Sequence, residues 1–217
     1  MSDDPLRLAI CRVGASLHAR GYAHATAGNI SARCADGGFL ITPTDACLGT
    51  LEPAQLAKVD AQGVQTGGAR ASKTLALHRR IYAAEPEARC VVHTHATHLV
   101  ALTLAGVWQA DDIVPPITPY YVMKVGHVPL IPYHRPGDPQ AAELVALRIG
   151  AMQSRGTPIR AVMLERLGPV VWHADPDSAS AVLEELEETA RLWLMTKPAP
   201  LAEAQIDELR RHFGAAW

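Results

Sequence analysis

Apolar and polar positions alternate along the chain with two different periods. Leu6, Ile10, Val13 and Leu17 are spaced four, three and four residues apart, which is one buried face of a helix. Asp4-Pro5 opens that helix, with Asp4 as cap and Pro5 in the first turn, and Gly21 ends it. Gly28–Ser31 and Gly37–Thr44 read as short strands joined by turns, and 59–64 as a hairpin with Gly63 at its turn. Residues 74–84 predict a helix stopped by Glu85-Pro86. Cys90–His95 reads as a buried strand, followed by a helix from Thr97. Val128–Tyr133, interrupted by two prolines, reads as an edge strand. Asp138-Pro139 repeats the cap-plus-proline start of a helix running to Arg155. Ala161–Leu164 and Val170–Trp172 flank Gly168-Pro169 as a hairpin. Asp177 starts a helix over 179–195, broken by Pro198 and Pro200, and a last helix runs over 201–213.

Strands in the middle and helices at both ends predict an α/β fold: one domain over residues 1–217, with a central mixed β-sheet covered by helices. The 217-residue length agrees, and 48% hydrophobic against 19% charged residues marks a globular chain. Twenty basic and 22 acidic residues leave a net charge of -2 with no block of one sign. No nucleic-acid-binding stripe is visible. No apolar run reaches the ~18 residues of a membrane span. The acidic start Met1-Ser2-Asp3-Asp4 reads as neither a secretory signal nor a transit peptide. Cys11, Cys34, Cys47 and Cys90 are scattered without a C-x-x-C pair. Reduced thiols and a cytoplasmic location are the expectation.

The sharpest chemical feature is His93-Thr94-His95. On a strand, residues two apart face the same way. Both imidazoles then converge, as a divalent transition metal requires. Two structural histidines are the bland alternative. Asn29 and Ser31 in G-N-I-S, Thr42 and Thr44 in T-P-T-D, and Ser72-Lys73-Thr74 before a helix form a second set. Hydroxyls, an amide, a lysine and free N–H groups at a helix start can hold an anion. Each segment alone also fits ordinary turn and cap chemistry. Glu184, Glu185, Glu187 and Glu188 read as a solvated helix face, and His98 as surface or packing. Arg135 in R-P-G-D either grips a substrate anion or braces its loop.

The order T-x-G-N-I-S (26–31), I-T-P-T (41–44), S-K (72–73) and V-V-H-T-H (91–95) resembles the class II aldolase/adducin family over roughly residues 5–195. Pro115–Met123, Arg135–Asp138 and Glu184–Glu188 are similar to the branch that decarboxylates 3-oxo-tetronate 4-phosphates. The resemblance implies a metal-dependent carbon–carbon lyase on a small phosphorylated sugar acid. It also implies a homotetramer with sites between neighbouring subunits, and a divalent metal, zinc first. His93 and His95 match two of three metal-binding histidines, and Asn29, Thr44, Ser72 and Lys73 match the phosphate-binding segments. Tyr121 or Tyr120 matches, loosely, a tyrosine that a neighbour contributes as an acid. Two positions depart from the pattern. Thr74 stands where the catalytic glutamate belongs, and Leu167 where the third histidine belongs. Threonine is no general base near neutral pH. Decarboxylation of a 3-oxo acid needs no such base, because the electron pair comes from the breaking bond. That makes Lys73, Thr74 and Tyr121 the expected catalytic positions. Glu165 and His134 are candidate substitute ligands. The rival expectation is a catalytically degenerate relative serving as a binding or assembly module.

Overall fold

The computed structural model describes residues 3–217; Met1 and Ser2 of the N-terminal reading lie outside them. The strands β1 (Asn29–Arg33), β2 (Phe39–Ile41), β3 (Ala57–Val59), β4 (Gln65–Gly67), β5 (Cys90–His93), β6 (Leu130–Ile131), β7 (Ala161–Leu164) and β8 (Gly168–His173) form one sheet. Their order is β4-β3-β2-β1-β5-β8-β7-β6. All neighbours are antiparallel except β6 and β7, which run parallel. The sheet is mixed, as expected, and the proline-flanked β6 sits at its edge, where an absent N–H costs least.

Side-chain alternation divides the sheet into two faces. Ile30, Ala32, Leu40, Cys90, Val92, Ala161, Met163 and Val171 join one core cluster. It is covered by α1 (Asp4–Ala19), α3 (Thr97–Ala105) and α5 (Pro176–Thr196). Phe39, Val91, Val162, Val170 and Trp172 face the other way, toward α2 (Leu75–Ala84) and α4 (Pro139–Ser154). The last helix, α6 (Glu203–Phe213), packs on a π-helical turn, Tyr121–Val125. No helix of the described residues is long and apolar enough to cross a membrane.

Several predicted ends move for identifiable reasons. Asp4 is the first helical residue and Asp3 holds the cap position. The Asp3 carboxylate instead takes a 2.7 Å hydrogen bond from Lys58 Nζ, tying α1 to β3. Asp175, not Asp177, caps α5, accepting from the Ser178 backbone N–H and hydroxyl at 2.7 Å each. The 59–64 hairpin exists, but its strands lie further apart, in β3 and β4. Gly168-Pro169 is not a turn. Glu165, Arg166 and Leu167 turn the chain, with Arg166 at φ 61, and Gly168 already pairs with Leu164.

The largest correction concerns Glu187. It is 2% exposed, not part of a solvated face. Its carboxylate accepts from the backbone N–H groups of His98 and Leu99 at 2.9 and 3.0 Å. It also meets His98 Nδ1 at 2.8 Å. A helix leaves its first N–H groups unpaired, and α3 has no cap of its own, since Ala96 precedes it. A carboxylate from α5 satisfies them from across the core, with the favourable charge for a helix N-terminus. Removing it strands buried donors, so Glu187→Ala is expected to cost about 3 kcal/mol. Glu187→Gln, which keeps one acceptor oxygen, loses less; urea unfolding of both variants measures the difference.

Candidate active site at the end of β5

Five segments converge at one end of the sheet around a cavity of about 280 Å³. They are the loop into β1, the Pro43–Asp45 turn, the start of α2, the end of β5, and the 131–142 segment with the end of β7. Among the lining residues are Asn29, Thr44, Ser72, Lys73, Thr74, His93 and His95. Residues scattered over 67 positions of sequence are thus neighbours. Sheet register does much of this: Asn29 lies directly opposite His93 in the β1–β5 pair.

The strand β5 ends at His93, so strand alternation explains only one of the two histidines. Pro169 on β8 explains the rest. Its carbonyl accepts from Thr94 N at 3.4 Å. A strand residue's N–H and C=O face the same neighbour, and proline has no N–H to return, so the ladder stops there. The Thr94 carbonyl then lies against Gly168, where an added Cβ would sit 1.9 Å from it. This places the His93 and His95 rings 5.1 Å apart between centroids, inclined at 60°. His93 Nδ1 lies 2.8 Å from the same Pro169 carbonyl. A carbonyl only accepts, so Nδ1 carries the proton and Nε2 keeps the lone pair that a metal needs. Burial first, and the His95 charge second, pull His93 down to about 4. Burial likewise lowers His95, with His24 as the further cause. Both imidazoles are neutral near pH 7. They fit a divalent cation as two of its ligands. Among the described residues no group of three or more His, Cys, Asp or Glu side chains stands ready to hold one.

The opposite wall gathers donor groups of the kind that suit an anion. The N-terminus of α2 opens into the cavity, with Thr74 at its cap position. The Thr74 and Ser72 hydroxyls bond each other at 2.9 Å, and the exposed Lys73 stands between them in sequence. The buried Asn29 Oδ1 has no partner, although Asn29 lines the cavity. Free N–H groups, hydroxyls and a lysine make a site for a phosphate-sized anion.

Beneath this wall His78 is fully buried, its Nδ1 2.7 Å from Ser31 Oγ, which also meets Tyr82 OH at 2.8 Å. Ser31 therefore belongs to this support, not to the cavity. Burial first, then His93, lowers His78 to about 3.

Other expected residues are placed differently. Tyr121 is fully buried, its hydroxyl 3.4 Å from the Val114 carbonyl and its ring edge-on to Trp217. It is not among the lining residues, and its position in the core removes it from the catalytic set of its own chain. Tyr120 is exposed. Glu165 and His134 do line the cavity. However, Glu165 Oε2 accepts from Tyr133 N at 2.9 Å, and His134 leans on Asp138 at 3.8 Å. Arg135 also lines it and sits 3.8 Å from Asp138. Leu167 adds only an apolar wall. Gly168 and Pro169 were missed as site-building residues because a G-P pair reads as a turn. His24 was missed because no motif contains it.

Two measurements check this geometry. Gly168 combines φ 144 with the Thr94 contact, so Gly168→Ala is expected to cost at least about 3 kcal/mol in urea unfolding. Gly150→Ala, on α4 with nothing near the new methyl, should be neutral or mildly stabilising. The buried histidines also set a pH dependence. Unfolded histidine titrates near 6.5, while His93 and His78 hold out to about 4 and 3. The unfolded state therefore binds more protons between those values. Stability should be level above about pH 7 and fall as the pH drops through 6 to 4, each histidine removing up to about 1.4 kcal/mol per pH unit. Urea midpoints at stepped pH read this directly.

Known proteins share this fold. The family model for the class II aldolase and adducin N-terminal domain matches residues 8–194. The chain is 56% identical to a 3-oxo-tetronate 4-phosphate decarboxylase of Cupriavidus necator, over 100% of this chain and 99% of that one. It is 38% identical to the protein of the same name in Escherichia coli K12, over 96% of each. The crystal structure of a candidate aldolase/epimerase/decarboxylase from E. coli superposes with a TM-score of 0.86 at 38% identity, covering 96% of this chain and 99% of that one. A family model matching residues 8–194 and a 56% identical relative over the whole chain show that this protein belongs to the class II aldolase and adducin family.

Proposed function

We propose that this family lyase releases carbon dioxide from a 3-oxo-tetronate 4-phosphate. The observation that carries the reading is one cavity with two unlike walls. Two neutral imidazoles face it at the end of β5, and an anion-binding helix start faces it at α2. Its size suits a four-carbon phosphorylated acid. The name of the 56%-identical relative supports the substrate class.

In this reading the phosphate lies at the α2 N-terminus, against Asn29, Thr44, Ser72 and Lys73. That end anchors the molecule and directs its 3-oxo acid toward His93 and His95. The bond to the departing carboxylate breaks, and its electron pair passes into the adjacent carbonyl to give an enolate. No proton is removed first, so Thr74 is compatible with the step where a glutamate would serve an aldol reaction. Thr74 holds Ser72 in place through its hydroxyl. Lys73 supplies positive charge to the cavity and, with water, the proton that the enolate carbon takes up. His93, its tautomer set by Pro169, and His95 would hold a divalent cation. Such an ion supplies Lewis-acid stabilisation of negative charge on the carbonyl oxygen. Zinc as that ion and a homotetramer belong to the same reading and rest on the family resemblance, and a cytoplasmic location rests on the scattered, unpaired cysteines.

The test is carbon dioxide release from synthetic 3-oxo-tetronate 4-phosphates. Wild-type protein should release it stoichiometrically. Lys73→Ala should lose about a hundredfold or more in kcat/KM, the range for a positioned charge at developing anion. Full activity of Lys73→Ala in metal-free protein would overturn the assignment. Tight binding of phosphorylated acids without any release would favour a binding module instead.

A further inference from the structure

The metal reading leaves a gap: two imidazoles line the cavity, and the turn where the family resemblance expects a third offers Leu167. The nearest imidazole outside the pair is His24. Its ring is edge-on to His95, at 6.2 Å between centroids and 72° between planes. It reaches the site from the opposite side of the sheet end, on the segment linking α1 to β1.

Three features of that segment matter. First, it is held in a costly backbone shape. Ala25 sits at φ 47, in the left-handed region that a residue with a Cβ seldom adopts. Ala27 N closes the turn on the His24 carbonyl at 2.9 Å. Such shapes persist where the surroundings demand them, and they cluster at functional sites. Second, Thr26 to Asn29, directly after the strained residue, line the cavity. The turn thus sets the His24 backbone two residues before the first of these lining residues. Third, the His24 side chain is exposed, and it makes no hydrogen bond to the described residues.

Coordination geometry gives a scale. With zinc about 2.0–2.1 Å from each ligating nitrogen, two imidazoles on a tetrahedral ion have ring centroids about 5.2 Å apart. His93 and His95 are already at 5.1 Å. His24 needs to approach His95 by about 1 Å and to reach the same spacing from His93, so the side chain must rotate toward the pair for the ion to be shared.

We propose that His24 is the third protein ligand of this chain's divalent metal, replacing the histidine that Leu167 displaced. The proposal rests on His93 and His95 holding that metal. It moves the third donor from the β7–β8 turn to the loop before β1, leaving the cavity wall at Leu167 apolar.

The test is zinc binding alone, without substrate or turnover. Chelator-treated wild-type protein, His93→Ala, His24→Ala and the double variant His24→Ala/Leu167→His are titrated with zinc in a calorimeter. Cobalt(II) spectra of the same proteins report ligand number. Wild type should bind one ion per chain, and His93→Ala none. His24→Ala should bind more than about tenfold more weakly, the least that losing a ligand shell partner costs, with an altered cobalt spectrum and unchanged metal-free unfolding. The double variant should recover affinity. If His24→Ala binds zinc as wild type does, with the same cobalt spectrum, while His93→Ala does not, the His24 assignment is overturned and the metal reading stands. If wild type takes up no zinc, both fall.

Discussion

The site depends on how β5 ends. Pro169 sits inside the sheet, where proline is rare, and its carbonyl serves two donors, Thr94 N and His93 Nδ1. One residue therefore does both jobs: its missing N–H stops the ladder, and its carbonyl chooses the His93 tautomer. Gly168 beside it lets the Thr94 carbonyl approach closer than any Cβ would permit. The adjacent Gly-Pro pair in β8 thus shapes the run His93, Thr94 and His95 at the end of β5. A conventional β8 would continue the pairing past His93 and carry His95 along the strand.

A second constraint is the satisfaction of buried polar groups. Glu187 crosses from α5 to the unpaired N–H groups of α3. His78, Ser31 and Tyr82 form a hydrogen-bonded column under the cavity. These groups are expensive to bury singly and acceptable together. They fix α3 and α2 against the sheet, and so fix the two helix starts that flank the end of β5. Rigid support behind a cavity is what positioning of any bound substrate requires.

The two departures from the family pattern point in one chemical direction. Thr74 removes a base but keeps a hydroxyl that bonds Ser72. Leu167 removes a donor but keeps the wall closed. An aldol cleavage would need the lost base. A decarboxylation draws its electron pair from the bond that breaks, so it asks for an anchor, an electrophilic centre and a proton source. The cavity retains candidates for all three.

Periodicity and caps along the chain were enough to read the helices and the strands in chain order, prolines the edge position of β6, and short polar motifs with the family resemblance the segments that meet at the cavity. Local chemistry determines these, because an apolar face or a cap is encoded within a few residues. Tertiary structure alone decided the roles that depend on partners distant in sequence. Glu187 looks like one of several surface glutamates until α3 is set before it. Gly168-Pro169 looks like a turn until Thr94 lies against it. Tyr121 looks available until Trp217 and Val114 enclose it, and His24 carries no signal until it faces His95. Whether a side chain is solvated, satisfied or enclosed is a property of what surrounds it in space, and the pattern of one segment holds no record of its neighbours.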